Sequence, residues 1–554
     1  MRRFLHRIAP VGIILIISVL FCLDLFIHQG RLSAFDTPTH LANIAQFTHA
    51  LQSGDFPVRW MDGFANYGMP MGVIVQQTTP YLGALFNLLL HNTVLSYNLV
   101  VLVGTFLSLY FFYLFLRLHF SEKAALLGTI VFAFAPYRII NVYIRGDIPE
   151  FFAHVFFPVI CIGLYYWIVE RRAKGLSILF IGLVGILLTH PFTLVIGSFL
   201  FVPYAIALFI KEKRSLLDMS FILPPIGVAL LALGAAGYYI IPLFSEIKYF
   251  YYGRSGQGLL PGQNLTLTNY LGDHWHYFTH NDIDVRGHII HLGLFESIII
   301  GAGLVYWYLK DKKSVFIPLV VGVFAVLAFF TTQYADPIYL HIKLLGGIQH
   351  NWRMFTSIVF IAPLLITYIQ NKLKSTYLFW GIIFLIIIMR VPQLYGKNFL
   401  QEPDTKYYWN KVNLHGNILN TVWTGPTEDY PVKQQKGEII AGQGTIIRHT
   451  ESNSWRIYEV RAQSELRMVD NTFYFPGWRV YVDGVETTIE FQDMNYRGVI
   501  TYKVPPGTHT ILVQFTNTKV RLLGNIITAF SLVIGGVLWT MRKKLLRHSA
   551  KQRT

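Results

Sequence analysis

Apolar runs long enough, or nearly long enough, to cross a membrane recur along this chain, near residues 8–27, 94–117, 124–141, 152–169, 175–189, 192–210, 220–243, 289–309, 314–331, 355–370, 376–390 and 522–541. A helix needs about 20 apolar residues to cross the hydrocarbon core, so several of these runs are short for an unaided span. Pro191, in "LLTHPFTLVIG", marks either a tight turn or a kink between two of them. The pattern predicts an α-helical polytopic membrane protein with about twelve transmembrane helices. Composition agrees: the chain is 53% hydrophobic and only 14% charged, against roughly a quarter charged in an ordinary soluble domain. A single fold around one aqueous core is excluded.

The first run follows a basic start, "MRRFLHRIAPVGIILIISVLFCLDLF". It is long and no small-residue cleavage site follows, so it reads as a retained anchor rather than a cleaved signal. Cys22 and Cys161 both lie inside apolar runs, which argues against a structural disulfide. The basic residues then order the topology. Arg2, Arg3 and Arg7 precede the first run, Arg117 and Lys123 flank the connection after the second, "ERRAKG", "KEKR", "KDKK" and "NKLK" fill alternate later connections, and "RKKLLRHSAKQR" follows the last. All of these fall on one side, which the positive-inside rule makes cytoplasmic, with both termini there. The net charge of +16 therefore belongs to an edge facing lipid headgroups, and nucleic acid is not an expected partner.

The opposite side receives long, aromatic connections rich in Asp, Glu, His and Arg: 28–93, 142–151, 245–288 and 332–354, within a membrane domain of residues 1–390. Joining helices does not require loops of that length. Residues 391–521 form a separate tract, followed by a final span and basic tail over 522–554. In that tract Trp478, Val480 and Val482 alternate, as do Ile511, Val513 and Phe515. Asp483-Gly484 is a hairpin signal and "VPPGTH" a turn. The expectation is an extracytoplasmic β-sandwich-like or jelly-roll-like domain held between membrane helices.

Ionisable residues gather on this outer side. In "RLSAFDTPTHLANIAQ" Asp36 and His40 stand four apart, on one face if the segment is helical. Asp36 is either a helix N-cap, with Pro38 in the first turn, or part of a site. Leu41, Ile44, Ala45 and Leu51 suggest an amphipathic helix along the membrane surface. Farther on are Asp55, Arg59 and Trp60 in "GDFPVRW", then "YGMPMG". In "RGDIPEFF", Arg145, Asp147 and Glu150 sit at the mouth of the fourth run. Arg145 and Asp147 can simply pair, and Glu150 suits a helix N-terminus, yet facing carboxylates also serve base- or metal-assisted chemistry. The loop with His274, His276, His280, His288 and His291 matches no zinc spacing; it reads as a polar cover whose Trp275 and Tyr277 can stack on a sugar. In "IQHNWRMF", beside His350, Arg353 can snorkel to the headgroups or clamp a lipid phosphate.

Together these features resemble the GT-C superfamily of polyprenyl-linked glycosyltransferases. "FDTPTHL", "GDFPVRW", "YGMP", "RGDIPE" and "IQHNWR" are similar to the bacterial 6-pyruvoyl-tetrahydropterin-synthase-related membrane proteins, and "FYFPGWRVYVDG" with "VPPGTHTILVQF" resembles the C-terminal part of YfhO-like membrane proteins. No three-histidine zinc arrangement in a soluble domain accompanies them, so pterin chemistry is not implied. The resemblance implies catalytic carboxylates at Asp36 and at Asp147 or Glu150, one acting as general base on an acceptor hydroxyl. The donor would be a polyprenyl-phosphate-linked sugar and the acceptor an envelope polymer or lipid. His40, Arg59, Trp60, Arg145, His274, His276, His350 and Arg353 are the expected substrate contacts. Some relatives use a divalent metal such as Mg or Mn, for which Asp36, His40 and Asp147 are the available ligands; Asp-x-x-x-His in place of adjacent acids leaves metal use open. The rival readings are a transporter or flippase, which would draw on Asp24, Glu296 and His190 as intramembrane groups, and a non-catalytic assembly factor.

Overall fold

The computed structural model describes residues 2–215, 218–251, 264–272, 290–408, 419–426 and 429–551. Among these residues, seven helices are long and apolar enough to cross a membrane: Ala9–Ile27, Thr93–Arg117, Ile148–Ile168, Pro191–Lys211, Asn351–Leu373, Thr376–Gln393 and Lys519–Leu538. Three bent pairs raise the number to ten if each is one span: Glu122–Ala133 with Pro136–Arg145, Met219–Ala235 with Gly237–Tyr249, and Phe316–Phe329 with Gln333–His341. Two of the twelve expected runs remain. They form Lys174–Thr189 and Leu294–Lys310, helices of 16 and 17 residues, each shorter than the roughly 20 that a span needs. Pro191 marks a turn, because His190 leaves the helical region at φ −161°, ψ 89° and Pro191 starts the next helix.

Short basic connections meet at one end of the bundle. Ser121 donates its N–H to Asn371 Oδ1 at 2.9 Å, Lys123 Nζ lies 3.1 Å from Thr376 Oγ1, and Lys372 pairs with Asp311 at 3.2 Å. Cys22 and Cys161 are buried and unbridged.

The β-rich tract begins later than its 391–521 limits suggest. Strands β1 (Arg31–Leu32) and β2 (Phe399–Leu400) pair antiparallel, fastened by Arg31 to Glu402 at 2.6 Å. The domain itself runs through β3 (Gly437–Ala441), β4 (Gly444–Glu451), β5 (Trp455–Ala462), β6 (Leu466–Phe473), β7 (Trp478–Val482), β8 (Val485–Thr487), β9 (Val499–Val504) and β10 (Gly507–Phe515). These make a five-stranded sheet in the order β4-β5-β10-β7-β8 and a three-stranded sheet β3-β6-β9. The alternating residues seen in the sequence are cross-strand partners: Val482 faces Ile511, Val480 faces Val513 and Trp478 faces Phe515. Cross-strand pairs of this kind stabilise a sheet, and here they join Val460, Met468, Tyr502 and Val504 in one core shared by both sheets. Asp483 and Gly484 both take positive φ, 51° and 83°, as a two-residue hairpin of the I′ kind requires.

The helix Thr37–Gln52 is not amphipathic in the expected sense. Leu41, Ile44 and Ala45 pack on the bundle beside Phe21 and Leu25, while Ala42, Phe47 and Ala50 belong to the β-domain core. Asn43, Gln46 and Thr48 are buried as well. The helix is therefore covered on both sides, a layer between bundle and β domain. Asp55 secures this layer by accepting from Asn453 Nδ2 at 2.6 Å and Ser454 Oγ at 2.7 Å.

Candidate functional site

The site is assembled where two distant segments cross. Ala135, preceding Pro136, is held extended at φ −61°, ψ 133°, which bends the pair Glu122–Ala133 and Pro136–Arg145 by 44°. The new helix, Pro136–Ile140, runs into a single π turn, Asn141–Arg145. Gly146 then takes φ 70°, and a side chain there would strike Thr37, so a left-handed, Cβ-free residue is needed. Asp147 caps the next helix, Ile148–Ala153, by accepting from Glu150 N at 3.2 Å. The strand leading to Asp36 lies alongside: Phe35 N donates to Ile144 O at 3.1 Å and Asp36 N to Arg145 O at 2.6 Å.

Arg145 is the hub. Its Nη2 donates to Asp147 Oδ2 at 2.6 Å, and its Nη1 lies 3.2 Å from Glu150 Oε2 and donates to Asn141 Oδ1 at 2.5 Å. Its guanidinium also sits over the Trp352 ring, 4.6 Å from the centroid. Glu150 is fully buried. Its Oε1 accepts from Tyr137 Oη at 2.5 Å and Thr356 Oγ1 at 2.7 Å, and its Oε2 lies 3.4 Å from Arg353 Nε. Buried charges persist when paired and hydrogen-bonded, and Glu150 is both.

Asp36 differs from its two neighbours. It occupies the N-cap position of Thr37–Gln52 but its side chain makes no capping bond. Among the described residues no hydrogen bond or ion pair engages its carboxylate, which is half-buried. Burial, and then the negative charge of Asp147, push its pKa up to about 6, against the pull of Arg145, His40 and Arg353. Burial would raise Asp147 too, but Arg145, followed by His40 and His190, more than offsets it and holds that carboxyl well below the usual range. Two carboxylates are thus committed to arginines, and one, Asp36, is left able to take a proton.

The other expected residues separate into two groups. His40 is buried one turn after Asp36. His350 stacks on Trp352 at 4.7 Å and so adjoins Arg145. Arg353 donates through Nη1 to Ile348 O at 3.1 Å and Gln349 Oε1 at 2.9 Å; its Nη2 engages none of the described residues. Arg59 and Trp60 are not brought to this cluster. Arg59 donates to Tyr238 O at 2.6 Å, and Trp60 is buried edge-on against Trp478 at 5.0 Å. Aromatic packing against the β domain draws that stretch of the first loop away from Asp36. His274 and His276 lie outside the described residues. Among the described residues no three His, Cys, Asp or Glu are grouped to hold a metal ion, and Asp147 already accepts from Arg145, so Asp36, His40 and Asp147 do not fit a Mg or Mn site.

Sequence reasoning left out Tyr137, Asn141 and Thr356. A signal existed for two of them: Tyr137, Asn141 and Arg145 recur at intervals of four, as on one helical face. Thr356 had none, because its bond to Glu150 spans 206 positions.

A family model described as the 6-pyruvoyl-tetrahydropterin synthase related domain, of a membrane protein, matches residues 79–395, more than half of the chain. Among solved structures, the chain is similar to the apo form of an oligosaccharyltransferase from Archaeoglobus fulgidus, with 16% identity, a TM-score of 0.40, and 76% of this chain and 61% of that one covered. A form of the Archaeoglobus fulgidus oligosaccharyltransferase in complex with Zn and sulfate gives 14% identity, a TM-score of 0.39, and coverage of 73% and 57%. The chain thus spans less than two thirds of the length of these structures. No curated protein matches it.

Proposed function

The chain belongs to the membrane-protein family of the 6-pyruvoyl-tetrahydropterin synthase related domain, and we propose that it is a glycosyltransferase of GT-C type that moves a sugar from a polyprenyl-phosphate carrier to an extracytoplasmic envelope acceptor, a polymer or a lipid. One observation carries this reading: Asp36 is a half-buried, uncommitted carboxylate with a raised pKa, beside two arginines whose other partners are already in place. In this reading Asp36 takes the proton of the acceptor hydroxyl. The acceptor oxygen bonds to the anomeric carbon as the bond from that carbon to the carrier phosphate breaks. The negative charge gathers on the departing phosphate, which would be met by Nη2 of Arg353, a donor that engages none of the described residues. Asp147 and Glu150 are positioning residues here: Asp147 Oδ2 holds Arg145, Glu150 Oε2 lies beside Arg145 and Arg353, and their other oxygens accept from Glu150 N and from Tyr137 and Thr356. The basic connections lie in the cytoplasm, and the site and β domain lie outside.

The transporter reading draws on ionisable groups within the spans, where such groups are usually paired. Asp24 Oδ2 accepts from Gly396 N at 2.7 Å, and Glu296 pairs with Arg390 at 2.5 Å; the enzyme is preferred on the Asp36 carboxylate alone.

The test is transfer of a radiolabelled sugar from a polyprenyl-phosphate hexose by the purified protein and its Asp36→Asn variant. The Asp36 side chain makes no capping bond and Asn has the same shape, so folding is retained while transfer falls by at least about 100-fold, the scale of general-base loss. Wild-type turnover by Asp36→Asn would remove Asp36 from catalysis.

A further inference from the structure

Arg59 poses a separate problem. It is 5% exposed and lies beyond the C-terminal end of Thr37–Gln52, a helix of 16 residues and so about 24 Å long, with Asp36 at its other end. Its Nη2 donates to Tyr238 O at 2.6 Å and to Asn525 Oδ1 at 3.2 Å. Among the described residues its Nε and Nη1 are buried with no partner. Among the same residues no carboxylate pairs with it, since the nearby Glu246 is taken by Arg521 at 3.0 Å and by Thr518. Unmet buried donors on a cation are among the costliest defects a fold can carry, so the arrangement calls for an anion.

Two phenols complete the setting. The Tyr238 ring lies under the Arg59 guanidinium, 5.6 Å from Cζ to centroid, and its hydroxyl engages none of the described residues. Tyr81 accepts from Val58 N at 2.8 Å, leaving its own O–H to donate. Both tyrosines are half-buried. Near Tyr81 stand exposed apolar side chains: Phe56, 77% exposed with its ring 5.8 Å from Tyr81, and Leu85, one turn after Tyr81 and 56% exposed. A guanidinium fork with adjacent hydroxyl donors suits a phosphate, and apolar residues at its rim suit acyl chains at the headgroup boundary.

We propose that Arg59, Tyr81 and Tyr238 form a second site, separate from the Asp36 cluster, that holds the phosphate of a membrane lipid. The test is the thermal unfolding midpoint of the full chain in detergent, titrated with dioleoyl phosphatidic acid, dioleoylglycerol or inorganic phosphate. Phosphatidic acid is expected to raise the midpoint and dioleoylglycerol to leave it unmoved. Arg59→Gln and Tyr238→Phe should each raise the half-saturating lipid concentration at least tenfold, with Arg353→Ala unchanged. Tyr238→Phe removes a hydroxyl that engages none of the described residues, so it answers the question even if Arg59→Gln fails to fold. An equal shift with inorganic phosphate would overturn the lipid assignment, and unchanged half-saturation in the Arg59 and Tyr238 variants would overturn the site.

Discussion

Asp36 and Asp147 are joined by one backbone crossing yet hold protons in opposite ways. Asp36 N donates to Arg145 O at 2.6 Å, two residues before Asp147, while the guanidinium of the same Arg145 turns to Asp147 at 2.6 Å. Burial, and then the negative charge of Asp147, raise Asp36 to about 6, while Arg145, turned toward Asp147, overcomes burial there and holds that carboxyl well below its ordinary range. An acid and a permanent anion are made from the same residue type by burial and by which carboxylate the cation faces.

That asymmetry sets a pH dependence. Transfer is expected to rise with pH through about 6 and level off above it, because Asp36 must be ionised to accept a proton. Stability runs the other way. The folded pKa lies above the ordinary value of 3.8, so between 3.8 and about 6 the folded state binds the extra proton and loses stability as pH rises. A pH–rate profile with no acid limb near 6 would count against Asp36 as the base.

Arg145→Met should be the most damaging single change in the cluster. It leaves Asp147 and the fully buried Glu150 short of a counter-charge, a loss of about 3–5 kcal/mol for a broken buried pair. Adding Glu150→Gln should return part of it, since the amide carries no charge to compensate. Unfolding midpoints of the single and double variants in detergent check this, and equal midpoints would show the pairing to be inert.

Arg353 separates charge from geometry. Arg353→Lys keeps the positive charge near Glu150 but loses the planar fork. It should raise the KM for the polyprenyl-phosphate donor with kcat less affected, and Arg353→Ala should nearly abolish donor binding. Donor KM measured across the three proteins decides; no change in Arg353→Ala would place the phosphate elsewhere.

Asp55→Ala should loosen the β domain from the first loop. Asn453 and Ser454 each lose an acceptor, but Asn453 Nδ2 keeps its bond to Trp60 O and Ser454 is half-buried, so the loss is about 1 kcal/mol for each bond. Hydrogen exchange in β5 and β10 should quicken while the spans stay protected. Uniform protection would mean that the aromatic contacts of Trp60 suffice alone.

Topology is open to cysteine labelling, helped by the burial of both native cysteines. Lys312→Cys and Leu373→Cys should be shielded from an impermeant thiol reagent in intact cells, whereas Val485→Cys, at a position 72% exposed, should react. The reverse pattern would invert the chain in the membrane.

Much of the architecture was legible before any coordinates. Runs of spanning length mark helices because lipid leaves a backbone no other partner. Alternation in 478–482 and 511–515 marks strands because side chains on a strand point to opposite faces, and those two runs prove to be each other's register partners. That Asp36, Arg145, Asp147, Glu150 and Arg353 are candidate site residues could be read from charge placed beside lipid, where it is expensive.

Their division of labour could not. Hydropathy and periodicity are local properties of a chain, so the residues alone announce a helical membrane protein with a β-rich domain and acidic and basic residues gathered in a few long connections. It took folding in three dimensions to leave the Asp36 carboxylate without a partner among the described residues while Asp147 and Glu150 are bound, to join Thr356 to Glu150 across 206 positions, and to set Arg59 and Trp60 on a different face. Coulomb energy and hydrogen bonding fall away within a few ångströms, so a carboxylate's role follows from which cation folding brings beside it, and spacing along the chain does not encode that.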